Sequence, residues 1–347
     1  MLLSEFDVPF DPLLIASQPV EPRHDARLLV LRRWQAGGGS NQRAHMAHHR
    51  VLDLPELLRA GDLVVVNDTK VLPARLRGRK VETGGVVELL CVRPAGHSRW
   101  EVLLKGRIKP GQIIELIGGA RVVVVERDQD RTIIEVESQE PLHGIMEASG
   151  DVPLPPYIKR PPCPDDRRWY QTVFAQEDGA IAAPTAGLHF TKELMESLRA
   201  AGIEWATVTL HVGLGTFKPV TAVRIEDHRM EAETRLVPEQ TVQAVHDAKG
   251  RGGRVVAVGT TVVRALESAV NGEGTLAPVS GGTDLFITPG YRFRVVDALL
   301  TNFHLPRTTL LMLVAAFCGV DDLRQAYRMA VEERYRFYSY GDAMLIL

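Results

Sequence analysis

The sequence predicts an α/β protein in which an antiparallel β-barrel interrupts a discontinuous α/β domain. Three observations support this fold class. Short β-rich runs follow one another between Asp62 and Ser138, a spacing typical of small barrels and sandwiches. A proline-rich segment follows at 151–166, where each X-Pro step disfavours helix. Beyond it, helical and strand patterns alternate, as they do around a largely parallel sheet.

The predicted barrel occupies residues 62–149. Its strands are the runs LVVV, VVELLCV, WEVLLKG, QIIELI, ARVVVVE and TIIEVE, and the proline-rich segment after it is expected to be an extended linker. Residues 1–61 carry helix and strand material that closes no pattern of its own. We therefore assign 1–61 together with 150–347 to the α/β domain. A length of 347 residues suits about two domains.

The second half is expected to alternate helices with strands. Thr191 can cap the helix KELMESLRAAG, which Gly202 ends. The strand WATVTLHV, the helix EQTVQAVHDAKG, the strand RVVAV, the helix VVRALESAV and the strand DLFITP follow. The last helix, DDLRQAYRMAVEERY, has one apolar stripe. Its members are Leu323, Tyr327, Ala330, Val331 and Tyr335.

Composition excludes several classes of protein. Hydrophobic residues make up 45% of the chain and charged residues 24%, which are ordinary globular values. The formal charge of −2 gives no overall positive field, so a nucleic-acid role requires local basic patches. Cys91, Cys163 and Cys318 lie far apart without a C-x-x-C pair, which argues against a disulfide scaffold, a zinc site or an iron–sulfur cluster. We expect a cytoplasmic protein.

Neither export nor metal binding is expected. The amino terminus lacks the basic and apolar regions of a signal peptide. The longest apolar run, Leu310 to Cys318, is far shorter than the roughly 20 residues of a membrane span. His45, His48 and His49 stand among arginines without nearby cysteines, which favours a solvated surface over a metal site.

The first candidate site is the strand–turn–helix segment RVVAVGTTVVRALES. Gly259, Thr260 and Thr261 lie at its turn, where amide N–H groups and hydroxyls can hold a phosphate or a carboxylate. Arg264, one turn later, adds a bidentate anion donor. The alternative is an ordinary capped connection, because the segment has neither a P-loop lysine nor a G-x-G-x-x-G pattern.

Two further segments, APTAGLHFT and TLHVGLGTFKPV, combine small residues with polar ones. Glycine permits close backbone approach to a ligand, and histidine transfers protons near neutral pH. The alternative is that each histidine is structural, as a histidine after an apolar strand often is. The candidate residues in these segments are Thr185, Gly187, His189, His211, Gly213 and Gly215.

A third candidate lies in VVDALLTNFHLPRTTLLMLVAAF. Asp297, Asn302, His304 and Arg307 stand in otherwise apolar sequence. Polar and ionisable groups are costly in such surroundings unless they are paired or used. The alternative is a hydrogen-bonded loop that joins two elements.

A basic stripe lies in the barrel region. Arg75, Arg77 and Arg79 share one face if this segment is a strand, and no acidic residue lies between Lys70 and Lys80. Such a stripe suits an RNA phosphate backbone. A solvated barrel face explains it equally well.

Taken together, the motifs resemble one family nearly from end to end. They are VVVNDTKVLPARL, PLPPYIKRPP, YQTVFA, AAPTAGLHFT, TLHVGLGTFKPV, AVGTT, TPGYRFRVVDALLTNFHLPRTTLLMLVAAF and YRFYSYGDAM. In this order they resemble the S-adenosylmethionine:tRNA ribosyltransferase-isomerase family of queuosine biosynthesis. The resemblance implies an α/β domain interrupted by a β-barrel. Two positions depart from the family pattern, Glu231 where a histidine is usual and Val262 where a serine is usual.

The resemblance also implies an activity. Such enzymes transfer and isomerise the ribosyl part of S-adenosylmethionine onto 7-aminomethyl-7-deazaguanine at the wobble position of tRNA. The products are epoxyqueuosine-tRNA, adenine and methionine. S-Adenosylmethionine is then a consumed substrate, tRNA is the macromolecular partner, and no cofactor is required. We expect the chain to act as a monomer.

This chemistry sets the roles of the candidate residues. A sulfonium acidifies its neighbouring C–H, so the protein must supply a positioned base. His189, His211 and His304 are the candidate proton carriers. Asp297 and Asn302 are expected to orient the ribose or the base, and Arg264 to clamp an anion. We expect one cleft built from the APTAGLHF, LHVGLGTF, AVGTT and TNFHLP segments.

Two rival functions stay open on the residues alone. An RNA methyltransferase would leave S-adenosylhomocysteine, but no G-x-G-x-G-type loop follows an early strand. A non-catalytic RNA-binding protein would account for the arginine stripe. It would leave the glycine- and histidine-containing segments of the second half without a role.

Overall fold

A computed structural model describes residues 1–33, 44–128, 131–138, 140–213 and 220–347. Within these ranges the chain forms a nine-stranded mixed sheet and a closed six-stranded antiparallel barrel. The predicted fold class is confirmed. No helix in the described ranges has both the length and the apolar character that crossing a bilayer requires.

The large sheet has four parallel strands at its centre. In spatial order, its strands are β15 (Val279–Thr283), β13 (Glu233–Val237), β12 (Glu204–Leu210), β3 (Leu63–Asn67), β14 (Val255–Val258), β16 (Ala298–Asn302), β17 (Ala343–Ile346), β1 (Arg27–Arg32) and β2 (His45–Arg50). Strands β12, β3, β14 and β16 run parallel, so their carboxyl ends meet at one edge. Strand β1 pairs in parallel with β17, which joins the amino-terminal residues to the second half of the chain.

Helices cover both faces of this sheet. Every residue of β3, β14 and β16 is buried, as expected for strands covered on both sides. One face carries α5 (Glu239–Gly250), α6 (Thr260–Glu267), α7 (Thr309–Cys318) and α8 (Val320–Glu332), and the other carries α1 (Leu54–Leu57) and α4 (Lys192–Ala200).

The predicted helix ends of the second half are largely confirmed. Thr191 Oγ1 accepts from the backbone N–H of Leu194 at 3.3 Å and caps α4. Gly202, with φ of +75°, follows its last turn. The predicted strand DLFITP is wrong, because the edge strand is β15, which lies just before it. The Leu285 carbonyl accepts from Arg264 Nε at 3.1 Å, so a side chain rather than a strand partner satisfies it.

The barrel encloses its own apolar core. Its strands are β5 (Arg75–Lys80), β6 (Val86–Pro94), β7 (Arg99–Lys105), β8 (Ile113–Leu116), β9 (Arg121–Arg127) and β10 (Thr132–Val136), closed in the order β10-β7-β6-β5-β8-β9. Leu89, Val102 and Val122 are fully buried inside it. Met146 of helix α2 (Leu142–Ser149) packs into the same core.

One predicted barrel strand belongs elsewhere. The run LVVV forms β3 in the large sheet, and Arg75–Lys80 supplies the sixth barrel strand instead. The reason is burial, because β3 is buried at every position whereas β5 alternates between the barrel core and its outside. The first barrel strand therefore begins at Arg75, so the predicted start of the barrel moves from residue 62 to the segment between Val71 and Arg75. The division into two domains stays a prediction.

The proline-rich segment is packed along much of its length. Val152, Leu154 and Ile158 are buried in a cluster with Tyr170. Tyr170 directly follows α3 (Asp166–Trp169), and the short strands β4 (Thr69–Val71) and β11 (Glu177–Ala180) pair nearby. The expected extended linker is therefore a packed connection.

Candidate active site

A cavity of about 320 Å³ opens at the carboxyl edge of the central parallel strands. Open α/β sheets bind their ligands at this edge. Its lining is formed by Pro156, Tyr157, Ala182, Ala183, Pro184, Thr185, Ala186, Val212, Gly259, Thr260, Thr261, Thr301, Asn302, His304, Leu305, Thr308, Leu310, Tyr338 and Ser339. None of these described residues carries a formal charge when His304 is neutral.

Five of the predicted site residues meet in this cavity. Thr260 and Thr261 begin α6 directly after β14, and Asn302 ends β16 with His304 two residues on. Thr185 begins the 3₁₀ turn that ends at His189. The prediction that the AVGTT, TNFHLP and APTAGLHF segments converge therefore agrees with the cavity lining, while the roles of the residues stay predictions.

Three oxygen atoms in the cavity lining have no hydrogen-bond partner in the part of the chain that the structure describes. They are Thr261 Oγ1, Asn302 Oδ1 and Tyr338 Oη, and each is buried. Buried polar atoms are nearly always satisfied, and an unpaired one costs free energy. A ligand that donates hydrogen bonds would satisfy these oxygens.

His304 is the histidine that lines the cavity. Its Nε2 lies 2.8 Å from Thr301 Oγ1, and its backbone N–H donates to the Tyr327 hydroxyl at 2.7 Å. Loss of hydration lowers the pKa of His304 to about 4. The ring is therefore neutral at physiological pH and can accept a proton.

His189 lies behind the cavity wall. Its Nε2 is 3.3 Å from Asn302 Nδ2, and its side chain is buried. Burial, followed by the positive charges of Arg336 and Arg23, lowers the pKa of His189 to about 3. Gly187, two residues earlier, serves packing, because an added Cβ would lie 2.7 Å from the Phe174 ring.

His211 points away from the cavity that its neighbour Val212 lines. Its Nδ1 lies 2.8 Å from Thr69 Oγ1. Desolvation lowers the pKa of His211, and nearby Glu177 opposes that shift. The N–H of Gly213 donates to Glu233 Oε1 at 3.1 Å, while Gly215 lies outside the described residues.

Arg264 is not placed to clamp a ligand in the cavity. Its guanidinium forms a buried ion pair with Glu233 and donates to the carbonyls of Thr283 and Leu285. The side chain leaves α6 toward β13 and β15, so its donors are occupied by protein groups. This corrects the expectation that Arg264 clamps an anion.

Asp297 is separated from the cavity by the length of a strand. It precedes β16, whereas Asn302 ends it, and five residues of strand span roughly 16 Å. Its Oδ2 accepts from the backbone N–H of Val255 at 2.9 Å, and Lys249 Nζ lies 3.5 Å from Oδ1. This corrects the expectation that Asp297 shares a cleft with His304.

The arginine stripe lies on the outside of the barrel. Strand β5 buries Leu76 and directs its arginines outward. Arg77 pairs with Asp151 at 3.3 Å, and Arg79 donates to the Gly84 carbonyl at 3.3 Å. Arg75 is more enclosed and donates to the Leu154 carbonyl. RNA binding by the stripe stays a prediction.

Sequence reasoning missed an aromatic wall. The Tyr157 and Tyr338 ring centroids are 4.2 Å apart, and the Tyr157 hydroxyl lies 2.6 Å from Ser339 Oγ. Tyr338 adopts φ of +72°, an uncommon conformation that clusters at functional sites. The two tyrosines lie in PLPPYIKRPP and YRFYSYGDAM, two of the segments that carry the family resemblance. That resemblance is the sequence signal that could have pointed to them.

Metal ligation has no candidate in the described ranges. No group of three or more His, Cys, Asp or Glu side chains there is arranged to hold an ion. His48 Nδ1 lies 2.7 Å from the Tyr335 hydroxyl, and His49 lies 3.7 Å from Asp53.

Comparison with known proteins gives one consistent family. Residues 3–346 match the family described as "Queuosine biosynthesis protein". Two relatives carry the name S-adenosylmethionine:tRNA ribosyltransferase-isomerase. The protein from Moorella thermoacetica is 50% identical to this chain and the protein from Aquifex aeolicus is 48% identical, and each comparison covers all of this chain and all of the relative. A crystal structure of S-adenosylmethionine tRNA ribosyltransferase from Thermotoga maritima is 38% identical, covers 99% of this chain and all of that one, and has a TM-score of 0.56. The chain belongs to the queuosine biosynthesis protein family.

Proposed function

We propose that this protein is an S-adenosylmethionine:tRNA ribosyltransferase-isomerase. It transfers and isomerises the ribosyl part of S-adenosylmethionine onto 7-aminomethyl-7-deazaguanine at the tRNA wobble position. The products are epoxyqueuosine-tRNA, adenine and methionine. One observation carries the proposal: a neutral His304 lines an otherwise uncharged cavity whose lining also holds three oxygens that have no partner among the described residues. The names of full-length relatives support the same reaction.

The uncharged lining suits deprotonation next to a sulfonium. A carboxylate beside the sulfur would neutralise its charge and weaken the acidity of the neighbouring C–H. His304 takes that proton, and the electron pair left on the carbon expels the ring oxygen from the neighbouring ribose carbon, which gives a vinyl sulfonium. The freed oxygen forms a carbonyl at the anomeric carbon as adenine leaves with the electron pair of the glycosidic bond and takes the proton from the imidazolium. The tRNA amine adds to the vinyl sulfonium and loses a proton, and the regenerated carbanion attacks the carbonyl to close the five-membered carbon ring. The resulting alkoxide displaces methionine from the neighbouring carbon and forms the epoxide.

The start of α6 suits the carboxylate of the methionyl part. The first N–H groups of a helix have no partner within the helix, and its dipole favours negative charge there. Thr260 and Thr261 lie at this point of the cavity, after Gly259 with φ of +95°. Glycine tolerates this positive φ without steric cost, so the strand can turn into the helix within one residue.

The remaining parts of the proposal concern partners and setting. The outward arginines of β5 contact tRNA phosphates, with Arg77 and Arg79 the more exposed pair. S-Adenosylmethionine is consumed as a substrate, and the reaction requires no cofactor. The protein acts as a cytoplasmic monomer with three free cysteines.

Analysis of the small-molecule products tests the proposal. Protein, S-adenosylmethionine and tRNA bearing the aminomethyl base should release adenine and methionine in equal amounts. Release of S-adenosylhomocysteine would indicate a methyltransferase, and no turnover would indicate a binding protein. His304→Ala should abolish most adenine release, while the matched His246→Ala, on the exposed side of α5, should not.

A further inference from the structure

We infer that Asn302 Oδ1 is the acceptor that reads a neutral N–H or O–H donor of the substrate, and that His189 is the residue that aims it. The inference rests on the proposed function, because it assigns roles within the same cavity. It also replaces the expected role of His189 as a proton carrier with a positioning role.

The orientation of the Asn302 amide is fixed by its nitrogen. Asn302 is 2% exposed, and its Nδ2 donates to the Tyr338 carbonyl at 2.9 Å. The same nitrogen lies 3.3 Å from His189 Nε2. Exchanging the amide oxygen and nitrogen would place Oδ1 against the Tyr338 carbonyl oxygen, with no proton between the two acceptors. Oδ1 is therefore the amide atom left without a partner among the described residues, on a side chain that lines the cavity.

His189 provides an acceptor for this amide. Its buried ring is neutral at physiological pH because desolvation and nearby arginines lower its pKa. A neutral ring that carries its proton on Nδ1 offers the Nε2 lone pair to Asn302 Nδ2. A protonated ring would instead set two donors against each other. His189 is therefore suited to holding Asn302 and does not line the cavity itself.

Tyr338 supplies the second anchor. Its N–H donates to the Phe303 carbonyl at 3.1 Å, and its own carbonyl accepts from Asn302. Its φ of +72° lies in the left-handed region, which residues other than glycine adopt uncommonly. A strained backbone of this kind persists only where the surrounding structure holds it. The Tyr338 carbonyl is thus a fixed partner of Asn302 Nδ2.

The donor that fits Oδ1 is neutral. An amide oxygen is a neutral acceptor, and no described lining residue would balance a second charge. S-Adenosylmethionine offers three such donors: the ribose 2′-hydroxyl, the ribose 3′-hydroxyl and the adenine 6-amino group. The tRNA base offers its own N–H groups. The experiment has to separate these sources.

Calorimetric binding without tRNA separates the donors on S-adenosylmethionine. The ligands are S-adenosylmethionine and three analogues, each lacking one of the three donors. Asn302→Ala should weaken S-adenosylmethionine binding about 10-fold, the scale of a lost buried hydrogen bond. The analogue that lacks the matching donor should bind wild-type protein about 10-fold more weakly than S-adenosylmethionine does. Asn302→Ala should not weaken the binding of that analogue any further. Asn271→Ala, at an exposed turn, is the matched control.

Two other outcomes decide the inference. If Asn302→Ala leaves S-adenosylmethionine affinity unchanged but raises KM for tRNA about 10-fold, the donor lies on the tRNA base and the acceptor role stands. If both quantities are unchanged in the folded variant, the inference is overturned. If Asn302→Ala does not fold, the analogue series on wild-type protein still decides. The inference is overturned if every S-adenosylmethionine analogue binds as tightly as S-adenosylmethionine and if tRNA whose base lacks an N–H group binds as tightly as the normal substrate.

A second pair of variants tests the role of His189. A glutamine side chain can place its amide oxygen near the position of Nε2, so His189→Gln should keep kcat within about 3-fold and leave the pH profile unchanged. His189→Leu removes the acceptor and should lower kcat. If His189→Gln is as inactive as His189→Leu, the ring itself carries protons and the positioning role is wrong. Product analysis of wild-type protein tests the proposed reaction independently of these variants.

Discussion

Thr301 Oγ1 lies 2.8 Å from His304 Nε2, at the point where β16 ends and the chain enters the cavity wall. Thr301 is buried, so the imidazole is held by a fixed oxygen. When Nε2–H donates to that oxygen, the Nδ1 lone pair is left to accept a proton from the substrate. With the ring in this tautomer, the hydroxyl holds it in place for the proposed proton removal.

Replacing His304 should stop the chemistry and spare the fold. His304→Ala is expected to lower kcat by about 100-fold or more, the usual scale for a lost acid–base group. The far-UV spectrum and the thermal midpoint should stay close to those of wild-type protein, since His304 lines a cavity and does not fill the packed core. Steady-state adenine release measures the effect. A folded His304→Ala variant with near wild-type kcat would place the base elsewhere.

Asp297→Asn is the control at the other end of the same strand. Asparagine keeps an acceptor for the Val255 N–H, and Asp297 lies roughly 16 Å from Asn302 along β16. Turnover should therefore remain within about 3-fold of wild type, on the usual scale of substitutions away from a site. A loss comparable to that of His304→Ala would show that Asp297 takes part in the reaction.

Acidification should destabilise the fold through His189. Its pKa is about 3 in the folded protein against 6.5 for an ordinary histidine, so below about pH 6.5 the unfolded chain binds the extra proton. The free energy of unfolding then decreases as pH falls toward 3. Between pH 7 and pH 5 this histidine should contribute a loss of about 2 kcal/mol.

Urea unfolding at the two pH values measures that loss. His189→Gln should lose about 2 kcal/mol less than wild type over the interval, because glutamine does not titrate. His246→Gln on the exposed side of α5 serves as control and should behave like wild type. Equal losses for wild type and His189→Gln would mean that the His189 pKa is not lowered.

The Arg264–Glu233 pair should stabilise the protein without binding substrate. Removing one member of a buried pair leaves the other charge unpaired, so Arg264→Met should cost about 3–5 kcal/mol of unfolding free energy. The double variant with Glu233→Gln should cost less than the sum of the single changes. Urea unfolding measures both. An anion clamp would show the opposite pattern, with a raised KM for S-adenosylmethionine and unchanged stability.

Charge reversal on β5 should weaken tRNA binding. If Arg77 and Arg79 each contact one phosphate, the double change to glutamate should flatten the slope of log affinity against log salt by about 1.8, or about 0.9 for each contact. Filter binding over a salt series measures this slope. Arg99→Glu on β7 is the matched barrel control. An unchanged slope in the β5 variant would make the stripe solvated surface.

Local patterns predicted most elements because burial periodicity is a local property. They assigned LVVV to the wrong sheet because a continuous apolar run does not specify its neighbours, which in this fold are β12 and β14. The prediction of a strand at DLFITP was wrong for a related reason. Arg264, which is distant in the sequence, donates to the Leu285 carbonyl in place of a strand partner.

Most of the predicted residues that line the cavity lie at or just beyond strand ends. Thr260, Asn302 and His304 do so, and they line the cavity. Asp297 lies in the same apolar stretch as Asn302, and the pattern does not tell which end of a strand faces a ligand. The ion-pair partner of Arg264 lies on β13, and Tyr338 adopts a positive φ. Neither the pairing nor the backbone conformation can be predicted from the local sequence.

Double labelling of S-adenosylmethionine tests the central claim most directly. The substrate carries one isotope in the ribose carbons and another in the S-methyl group, and the tRNA carries the aminomethyl base. After turnover the ribose label should be on tRNA, and the methyl label should leave with methionine. Methyl label on tRNA, with ribose label left among the small molecules, would contradict the proposed ribosyl transfer.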